Sequence, residues 1–94
     1  MLKIRFTTRM KKDLKRVKRQ TDSGYDEKEF RFVVNELANV RPLDEKYDDH
    51  PLHGKYEGAR DCHLRPDLVL VYEIHDDVLE LLLLRIGSRS EVFP

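Results

Sequence analysis

The stretch Leu68–Ile86, LVLVYEIHDDVLELLLLRI, decides the fold of this 94-residue chain. Two apolar runs, Leu68–Ile74 and Val78–Ile86, flank a pair of aspartates. Apolar runs of this length around a short polar break predict a β-hairpin. If the two aspartates alone form the turn, Glu73 lies opposite Glu80.

The N-terminal half shows a strand followed by two helices. Alternating apolar and basic residues over Leu2–Phe6 predict a half-buried strand. A helix ending near Arg19 follows, because the hydroxyl of Thr7 or Thr8 can accept from the unpaired amides of a first turn. A second helix is expected over residues 26–40, where apolar residues recur at helical spacing, and a proline at position 42 ends it.

The remaining segments complete the predicted architecture. Residues 42–58 contain two prolines and two glycines among many charges, which predicts a long loop of the kind that is usually functional. A strand over residues 59–65 ends before Pro66. The order β-α-α-β-β-β predicts an α+β fold, with two N-terminal helices packed on a mainly antiparallel sheet. A chain of this length is expected to form one domain over residues 1–94.

The charge is distributed unevenly along the chain. Residues 1–20 hold nine Lys and Arg and one acid, a net charge of +8, so the remaining 74 residues carry −8. The first helix therefore either binds a polyanion or an acidic partner, or forms a solvated basic face. The cations expected to be exposed there and to contact such a polyanion or partner are Lys11, Lys12, Lys15, Arg16, Lys18 and Arg19.

Cysteine content and hydropathy bear on the cellular compartment. Cys62 is the only cysteine, so an intramolecular disulfide is impossible and a reducing cytoplasm is expected. The N-terminus lacks the apolar core of a secretory signal, and the apolar runs are too short for a membrane span.

Histidines, acids and arginines bunch in three segments of the C-terminal half, DDHPLHG at 48–54, RDCHLRPD at 60–67 and RIGSRSEVF at 85–93. Period two in the first predicted strand of this region puts Asp61, His63 and Arg65 on one face. Such groups are costly to bury in a core, so they either face water or line a site. An antiparallel sheet could bring His50 and the arginines of the last segment to the same concavity.

Metal-independent cleavage of RNA by its own 2′-hydroxyl needs this set of groups. A base takes the 2′ proton, an acid protonates the departing 5′-oxygen, and cations stabilise the developing phosphoryl charge. Histidine exchanges protons near neutral pH, and the ring of Phe93 could stack on a base. A zinc site from His50, His53, Cys62 and His63 is the weaker reading, because adjacent strand residues point to opposite faces.

The same segments carry a family resemblance. Residues 49–54 (DHPLHG), 60–67 (RDCHLRPD), 70–72 (LVY) and 87–93 (GSRSEVF) together resemble the YafQ branch of the RelE/ParE toxins, over nearly the whole chain. The resemblance implies a RelE-like microbial ribonuclease fold. It also implies a toxin of a toxin–antitoxin pair that cuts mRNA in the ribosomal A site without a cofactor. The implied partners are the ribosome with its mRNA and a DinJ/RelB-like antitoxin, in a heterotetramer or larger complex.

The resemblance also implies roles for individual residues. His50, His63 and Asp67 match the acid–base residues of the family. Asp61 matches a supporting acid, Arg85 a phosphate-facing arginine and Phe93 a C-terminal aromatic implicated in activity. The six exposed cations expected on the first helix would contact RNA, the ribosome or an antitoxin.

One position departs from the family pattern. Arg89 stands where the YafQ branch usually has histidine, and arginine is effectively always protonated, so it cannot act as a base. Arg89 is therefore assigned to stabilising the transition-state charge. Two alternatives stay open: a ParE-like toxin that inhibits gyrase, and a catalytically weakened module that binds RNA or antitoxin.

Overall fold

The computed structural model describes all residues, Met1–Pro94, and arranges five strands in one mixed sheet. The strand order is β1-β5-β4-β3-β2, with β1 parallel to β5 and every other pair antiparallel. The strands are β1 (Lys3–Phe6), β2 (His50–Pro51), β3 (Arg60–Arg65), β4 (Leu68–His75) and β5 (Glu80–Gly87). The helices are α1 (Thr8–Arg19), α2 (Glu27–Ala38) and α3 (Arg89–Val92), with 3₁₀ turns at Glu45–Tyr47 and Gly54–Tyr56. The predicted α+β class and mainly antiparallel sheet are confirmed.

Both long helices begin close to the predicted positions, and the first has one of its two predicted caps. The Thr7 hydroxyl accepts from the Met10 amide at 2.9 Å, and the Asp26 carboxylate accepts from the Lys28 amide at 3.0 Å. Helix α2 ends at Ala38, two residues earlier than predicted, because Val40 adopts a left-handed φ of 55°. None of the helices is long and apolar enough to cross a membrane.

Four short elements were not predicted. The segment 42–58 is not a plain loop, since it contains β2 and both 3₁₀ turns, and the tail folds into α3. Strand β2 is two residues long and pairs His50 with Asp61 and Pro51 with Arg60. A two-residue strand carries no readable periodicity, so this pairing was invisible in the sequence.

The β4–β5 hairpin is confirmed, but its turn is longer than the two residues that would place Glu73 opposite Glu80. His75 pairs with Glu80 and Glu73 pairs with Leu82, so Glu73 does not face Glu80. The turn spans four residues, Asp76 to Leu79, and Leu79 takes a φ of 53°. Val78 and Leu79, read from the sequence as part of an apolar strand, are exposed turn residues.

The sheet is covered on both faces by unequal layers. Helices α1 and α2 cover one face and form the main core with Met10, Val33 and Leu70 among its members. The other face carries a small cluster of four buried residues, Ala59, Val69, Val71 and Val92, against which Tyr56 and Phe93 pack. Central β4 is therefore buried on both faces over Leu68–Tyr72, and a buried Leu or Val contributes about 1.5–3 kcal/mol.

Helix α1 also closes an open edge of the sheet. Strand β1 pairs only with residues 80–83 of β5, so the second half of β5 pairs with β4 on one side and has no strand on the other. Beside that half, the carboxylate of Asp13 accepts from the Ile86 amide at 3.2 Å and the Arg16 guanidinium donates to the Ile86 carbonyl at 3.2 Å. Side chains of a helix thus satisfy the backbone groups that a strand would otherwise pair.

Candidate active site

His50, Asp61 and His63 converge on the sheet face that α1 and α2 leave uncovered. His50 Nε2 lies 3.1 Å from Asp61 Oδ1, and His63 Nε2 lies 3.6 Å from the same oxygen. The two imidazole rings are 5.8 Å apart between centroids. The backbone sets this geometry, since His50 is paired with Asp61 across β2 and β3, and His63 follows Asp61 by two residues on the same strand face.

Asp61 is the buried member of the cluster. Its side chain is only 4% exposed, whereas the side chains of His50 and His63 are 40% and 14% exposed. Burial raises the pKa of the Asp61 carboxyl, and the nearby charges of His50 and His63 counteract part of that rise. Asp61 Oδ1 is shielded from solvent and makes no hydrogen bond of good geometry despite its two histidine neighbours. The pKa of the Asp61 carboxyl therefore depends on the charges of His50 and His63.

His50 is oriented from behind by the turn that precedes it. His50 Nδ1 lies 2.6 Å from the Asp48 carbonyl oxygen, so Nδ1 donates its proton there and Nε2 turns toward Asp61. Asp48 adopts a left-handed φ of 47°, which bends the chain so that its own carbonyl meets the ring of His50. Nε2 is left free to accept a proton.

Asp49 ties the same turn to the sheet. Its Oδ1 accepts from the buried Tyr72 hydroxyl at 2.5 Å and from Arg60 Nε at 3.2 Å. Burial and the adjacent Asp49 carboxylate raise the pKa of Tyr72, so the hydroxyl stays a donor at all physiological pH values. Asp49, which precedes His50, is thus fixed by hydrogen bonds from Arg60 on β3 and Tyr72 on β4.

Arg89 and Asp67 meet at the start of α3. The carboxylate of Asp67 accepts from the Arg89 backbone amide at 2.9 Å. The Arg89 side chain is exposed, and its charge acts on the Asp61 carboxyl to favour ionisation. The Arg89 side chain thus makes no hydrogen bond or ion pair with the His50–Asp61–His63 cluster, and Asp67 contacts the tail backbone.

A capping box fixes the short helix that carries Arg89. The Ser88 hydroxyl accepts from the Glu91 amide at 3.3 Å, and Glu91 Oε1 accepts from the Ser88 amide at 3.0 Å. Hydrogen bonds from Ser88 hold the pKa of the Glu91 carboxyl below its usual value. Glu91 also pairs with Arg16 Nε at 3.1 Å, which links the tail to α1.

Arg85 is held by an acid that sequence analysis missed. Its Nε lies 2.6 Å from Asp13 Oδ2, and its side chain is 12% exposed. The carboxylate of Asp13 is fully buried and also accepts from Arg16 at 2.9 Å. Burial alone would raise the pKa of Asp13, but the hydrogen bonds from Arg85, Arg16 and the Ile86 amide hold it below its usual value. The predicted contact of Arg85 with a phosphate stays a prediction, and the contact observed is with Asp13.

Phe93 lies against the small cluster below the site. Its ring packs edge-on against Tyr56, with 5.6 Å between centroids and an interplanar angle of 86°. The Tyr56 hydroxyl donates to the Val92 carbonyl at 3.4 Å. Phe93 is half-buried, so the ring predicted to stack on a base is anchored along one edge.

Several other residues of the three histidine- and arginine-rich segments lie outside the His50–Asp61–His63 cluster. Arg65 was predicted beside His63, but the pairing of β3 with β4 shifts between residues 63 and 65, and the Arg65 guanidinium pairs with Glu29 of α2. Cys62 is buried on the opposite face of β3, where burial raises the pKa of its thiol. His53 is exposed and lies 3.7 Å from Glu57. The proposed zinc quartet of two loop histidines, Cys62 and His63 is therefore not assembled.

The basic face of α1 is divided between solvent and internal pairing. Lys11, Lys12 and Lys15 are exposed, as predicted. Arg16 is half-buried between Asp13 and Glu91, and Lys18 lies 3.5 Å from Glu27. The signal for this division was present in the sequence, because a single acid inside a basic helix predicts internal ion pairs at i+3 and i+4.

The matches with known proteins agree with this geometry. The family model for YafQ, the bacterial toxin of a type II toxin–antitoxin system, matches residues 2–94. The chain belongs to the YafQ toxin family.

Individual relatives are similar over almost their full length. The chain is 31% identical to the mRNA interferase toxin YafQ of Escherichia coli K12 over 91 residues, which are 96% of this chain and 94% of the relative. A metal-bound toxin from Helicobacter pylori superimposes with a TM-score of 0.90 at 45% identity, covering 99% of this chain and all of the relative. YafQ in the E. coli DinJ–YafQ complex superimposes with a TM-score of 0.85 at 28% identity, covering both chains completely.

Membership in the YafQ family makes this chain a toxin of a type II toxin–antitoxin pair. The same matches confirm that the chain has the α+β fold of the YafQ toxins. Three of the four segments that carried the resemblance, 49–54, 60–67 and 87–93, build the His50–Asp61–His63 cluster and the α3 tail.

Proposed function

We propose that this YafQ-family toxin is a ribosome-dependent, metal-independent mRNA endoribonuclease that cleaves in the A site. The observation that carries the proposal is the convergence of His50 Nε2 and His63 Nε2 on one buried carboxylate oxygen of Asp61. Two imidazoles 5.8 Å apart can serve the two ends of a reacting phosphodiester, one as base and one as acid. The E. coli relative named an mRNA interferase supports the substrate class.

The chemistry begins with the ribose 2′-hydroxyl upstream of the scissile phosphate. One histidine accepts the 2′ proton while the 2′-oxygen attacks phosphorus, and the other donates a proton to the departing 5′-oxygen. The products are a 2′,3′-cyclic phosphate and a free 5′-hydroxyl, so protons and electrons balance without an external reagent. The Asp61 carboxyl stabilises whichever imidazole becomes charged, because it lies within 3.6 Å of both.

Arg89 supplies the positive charge in this scheme. Its side chain is exposed and its charge acts on the Asp61 carboxyl, and a guanidinium binds phosphate oxygens with two parallel donors. Stabilising the extra negative charge of the transition state is a role that requires permanent charge and no proton transfer. The histidine usual at this position in the family could do either, so this chain leaves proton transfer to His50 and His63.

The neighbouring residues are assigned to positioning and binding. We assign Asp67 to holding Arg89, because its carboxylate accepts from the Arg89 amide. Arg85 orients the end of β5 through Asp13 and Glu91, with phosphate contact as an added role in the bound state. Phe93 presents a ring next to the tail on which an mRNA base can stack.

The exposed lysines of α1 provide the electrostatic contact with ribosomal RNA or with an antitoxin. Lys11, Lys12 and Lys15 point to solvent, and no acid is present in the first turn of α1. Phosphate binding by such lysines weakens steeply with salt. The DinJ–YafQ complex of E. coli supports a cognate antitoxin as the second partner, which would compete for the toxin surface.

Primer extension on an mRNA in a translating extract tests the proposed function. Wild-type toxin is expected to give discrete cuts in register with A-site codons, and His63→Ala is expected to give none. His53→Ala is the matched control, since His53 is exposed and lies outside the cluster. Intact mRNA with wild-type protein, or accumulation of cleaved DNA–gyrase complexes instead, would overturn the proposal.

A further inference from the structure

We propose that Asp48, His50, His63 and Asp61 form a binding site for one divalent transition-metal ion such as Zn²⁺. We further propose that the bound ion inhibits the toxin, a consequence that rests on the proposed function. Ligand atoms of Asp48, His50 and His63 lie within 4.8 Å of one another. Asp48 contributes an exposed carboxylate from the turn, and Asp61 contributes a buried one from β3.

Asp48, His50 and His63 form the ligand group, and Asp61 lies beside both imidazoles as a further donor at distances close to those of a tetrahedral site. Metal–ligand bonds of about 2.0–2.2 Å in a tetrahedron put neighbouring ligand atoms roughly 3.4 Å apart. His50 Nε2 and Asp61 Oδ1 are 3.1 Å apart, and His63 Nε2 lies 3.6 Å from Asp61 Oδ1 and 4.0 Å from Asp48 Oδ2. Because Asp48 is exposed, its side chain can move the few tenths of an ångström that a bound ion requires.

The buried oxygen of Asp61 is an independent indication of a cation. The Asp61 side chain is only 4% exposed, and its Oδ1 has no well-formed hydrogen bond. The same oxygen faces the Nε2 atoms of His50 and His63. A buried carboxylate oxygen without a partner is costly, and the energy is recovered when a proton or a metal ion sits between it and the imidazoles. The two histidine nitrogens that face this oxygen are the natural co-ligands.

The orientation of His50 is that of a metal ligand. Its Nδ1 donates to the Asp48 carbonyl at 2.6 Å, which fixes the tautomer with a free lone pair on Nε2. A backbone carbonyl behind the ring is the usual support of a ligating histidine. Asp48 thus serves twice, through its carbonyl behind His50 and through its carboxylate in front of His63.

The ligand types select the ion. Two imidazoles with carboxylates favour Zn²⁺ and Cu²⁺, whereas Mg²⁺ prefers an all-oxygen octahedral shell that usually keeps several waters. The Mg²⁺ that accompanies ribosomes is therefore not expected to fill this site. Cys62 cannot join as a thiolate ligand, because it is buried on the other face of β3.

Metal binding and proton transfer exclude one another at this site. A metal ion takes the same Nε2 lone pairs of His50 and His63 that have to accept or deliver protons in RNA cleavage. The ion would also neutralise Asp61, which supports the charged imidazole. A bound ion therefore acts as an inhibitor, not as a cofactor, and its removal restores activity.

Isothermal titration of the full-length chain with Zn²⁺ tests the site without any activity assay. Wild-type protein is expected to bind one ion per chain, and His50→Gln and His63→Gln to weaken binding at least about tenfold. His53→Ala and His75→Ala are matched controls that keep wild-type affinity, and Mg²⁺ is expected to give no binding at the same concentrations. Circular dichroism verifies the fold of each variant. Unchanged binding in both glutamine variants, or loss in the His53 control, overturns the site.

Cleavage measurements then separate inhibition from function. Saturating Zn²⁺ is expected to stop A-site cleavage by metal-free toxin, and a chelator that spares Mg²⁺ to restore it. Asp48→Asn, which tolerates the left-handed turn, should need at least about tenfold more Zn²⁺ for half-inhibition relative to its own metal-free rate. Unimpaired or faster cleavage with the site filled overturns the inhibitory role. A metal-free toxin that never cleaves overturns the proposed function, and the calorimetric result still decides the metal site.

Discussion

His50 and Asp61 are partners in two senses: their backbones pair across β2 and β3, and their side chains meet at 3.1 Å between Nε2 and Oδ1. The strand pairing fixes the position from which the His50 imidazole approaches the Asp61 carboxylate. Because β2 is only two residues long, its contribution lies in this placement more than in the stability of the sheet. The candidate active site thus depends on one short strand pairing.

Removing the His50 imidazole should abolish most cleavage while leaving the fold intact. His50→Ala is expected to lower the rate of mRNA cleavage by about 10²–10⁴-fold, the usual contribution of one general acid or base. His53→Ala, three residues away and exposed, should cleave like wild type. Primer extension with equal amounts of folded protein measures the ratio, and a less than threefold difference between the two variants would contradict a proton-transfer role.

Asp61→Asn should make the toxin more stable and less active. Burial raises the pKa of Asp61 above its unfolded value, so ionising it costs stability once the pH exceeds the unfolded pKa of about 3.9. The amide avoids this cost, and we expect a gain of about 0.5–2 kcal/mol in the free energy of unfolding at pH 7. Urea denaturation should show the gain disappearing toward pH 3.5, where the carboxyl is protonated in both states. A loss of stability at neutral pH would show that the histidines outweigh the burial cost.

Asp13→Ala should lower the free energy of unfolding, whereas Asp61→Asn should raise it. The substitution leaves the Arg85 guanidinium and the Ile86 amide without their acceptor, and breaking a buried pair costs about 3–5 kcal/mol. Asp22→Ala, at an exposed turn position, should stay within about 0.5 kcal/mol of wild type.

The pH dependence of the Asp13 effect has a defined sign. The pKa of Asp13 is lowered in the folded state, so its contribution is present above the unfolded pKa of about 3.9 and is lost as the pH falls through the folded value. The difference in unfolding free energy between wild type and Asp13→Ala should therefore narrow in acid. A gap that stays constant from pH 7 to pH 3 would show that Asp13 acts by packing alone.

Arg89 distinguishes a charge-stabilising nuclease from a weakened one. Arg89→Ala is expected to lower kcat by about 10²–10³-fold if its guanidinium stabilises the transition state. Arg89→His, which restores the usual family residue, is expected to cleave within about tenfold of wild type. A gain well beyond tenfold would instead mean that arginine at this position has reduced the activity of this chain. Single-turnover cleavage on programmed ribosomes provides the comparison.

The exposed lysines of α1 should affect binding and not chemistry. Changing Lys11, Lys12 and Lys15 together to alanine is expected to raise KM, leave kcat unchanged and reduce the salt dependence of ribosome binding. Three exposed lysines elsewhere, Lys28, Lys46 and Lys55, form the control set. Equal effects of the two triple substitutions on KM would mean that net charge alone matters.

Much of this architecture was readable from local patterns. Helix caps at Thr7 and Asp26, the apolar runs of β4 and β5, and the shared face of Asp61 and His63 all follow from nearest-neighbour chemistry. What escaped prediction depends on pairing between distant segments. The two-residue strand at His50 and the four-residue turn before Glu80 exist because of tertiary register, which periodicity does not encode.

In the candidate active site too, some residues could be identified from local sequence, whereas contacts between distant segments could not. The sequence was sufficient to select His50, His63 and Asp61, because their residue types and family motifs indicate acid–base chemistry. Asp13 could not be linked to Arg85 in advance, because 72 residues separate the two partners of that ion pair. The hydrogen bond from the Arg89 amide to the Asp67 carboxylate also joins residues far apart in the sequence, and the acid–base role expected for Asp67 stays a prediction.

In the proposed reaction the RNA cleaves itself through its 2′-hydroxyl while His50 and His63 move the protons. A ribosome-bound mRNA with a single 2′-deoxy nucleotide on the 5′ side of the scissile phosphate tests this reaction. We expect no cleavage at that position, undiminished cleavage of the all-ribose message, and a 2′,3′-cyclic phosphate on the upstream product. Cleavage of the deoxy-substituted message at the all-ribose rate would contradict it.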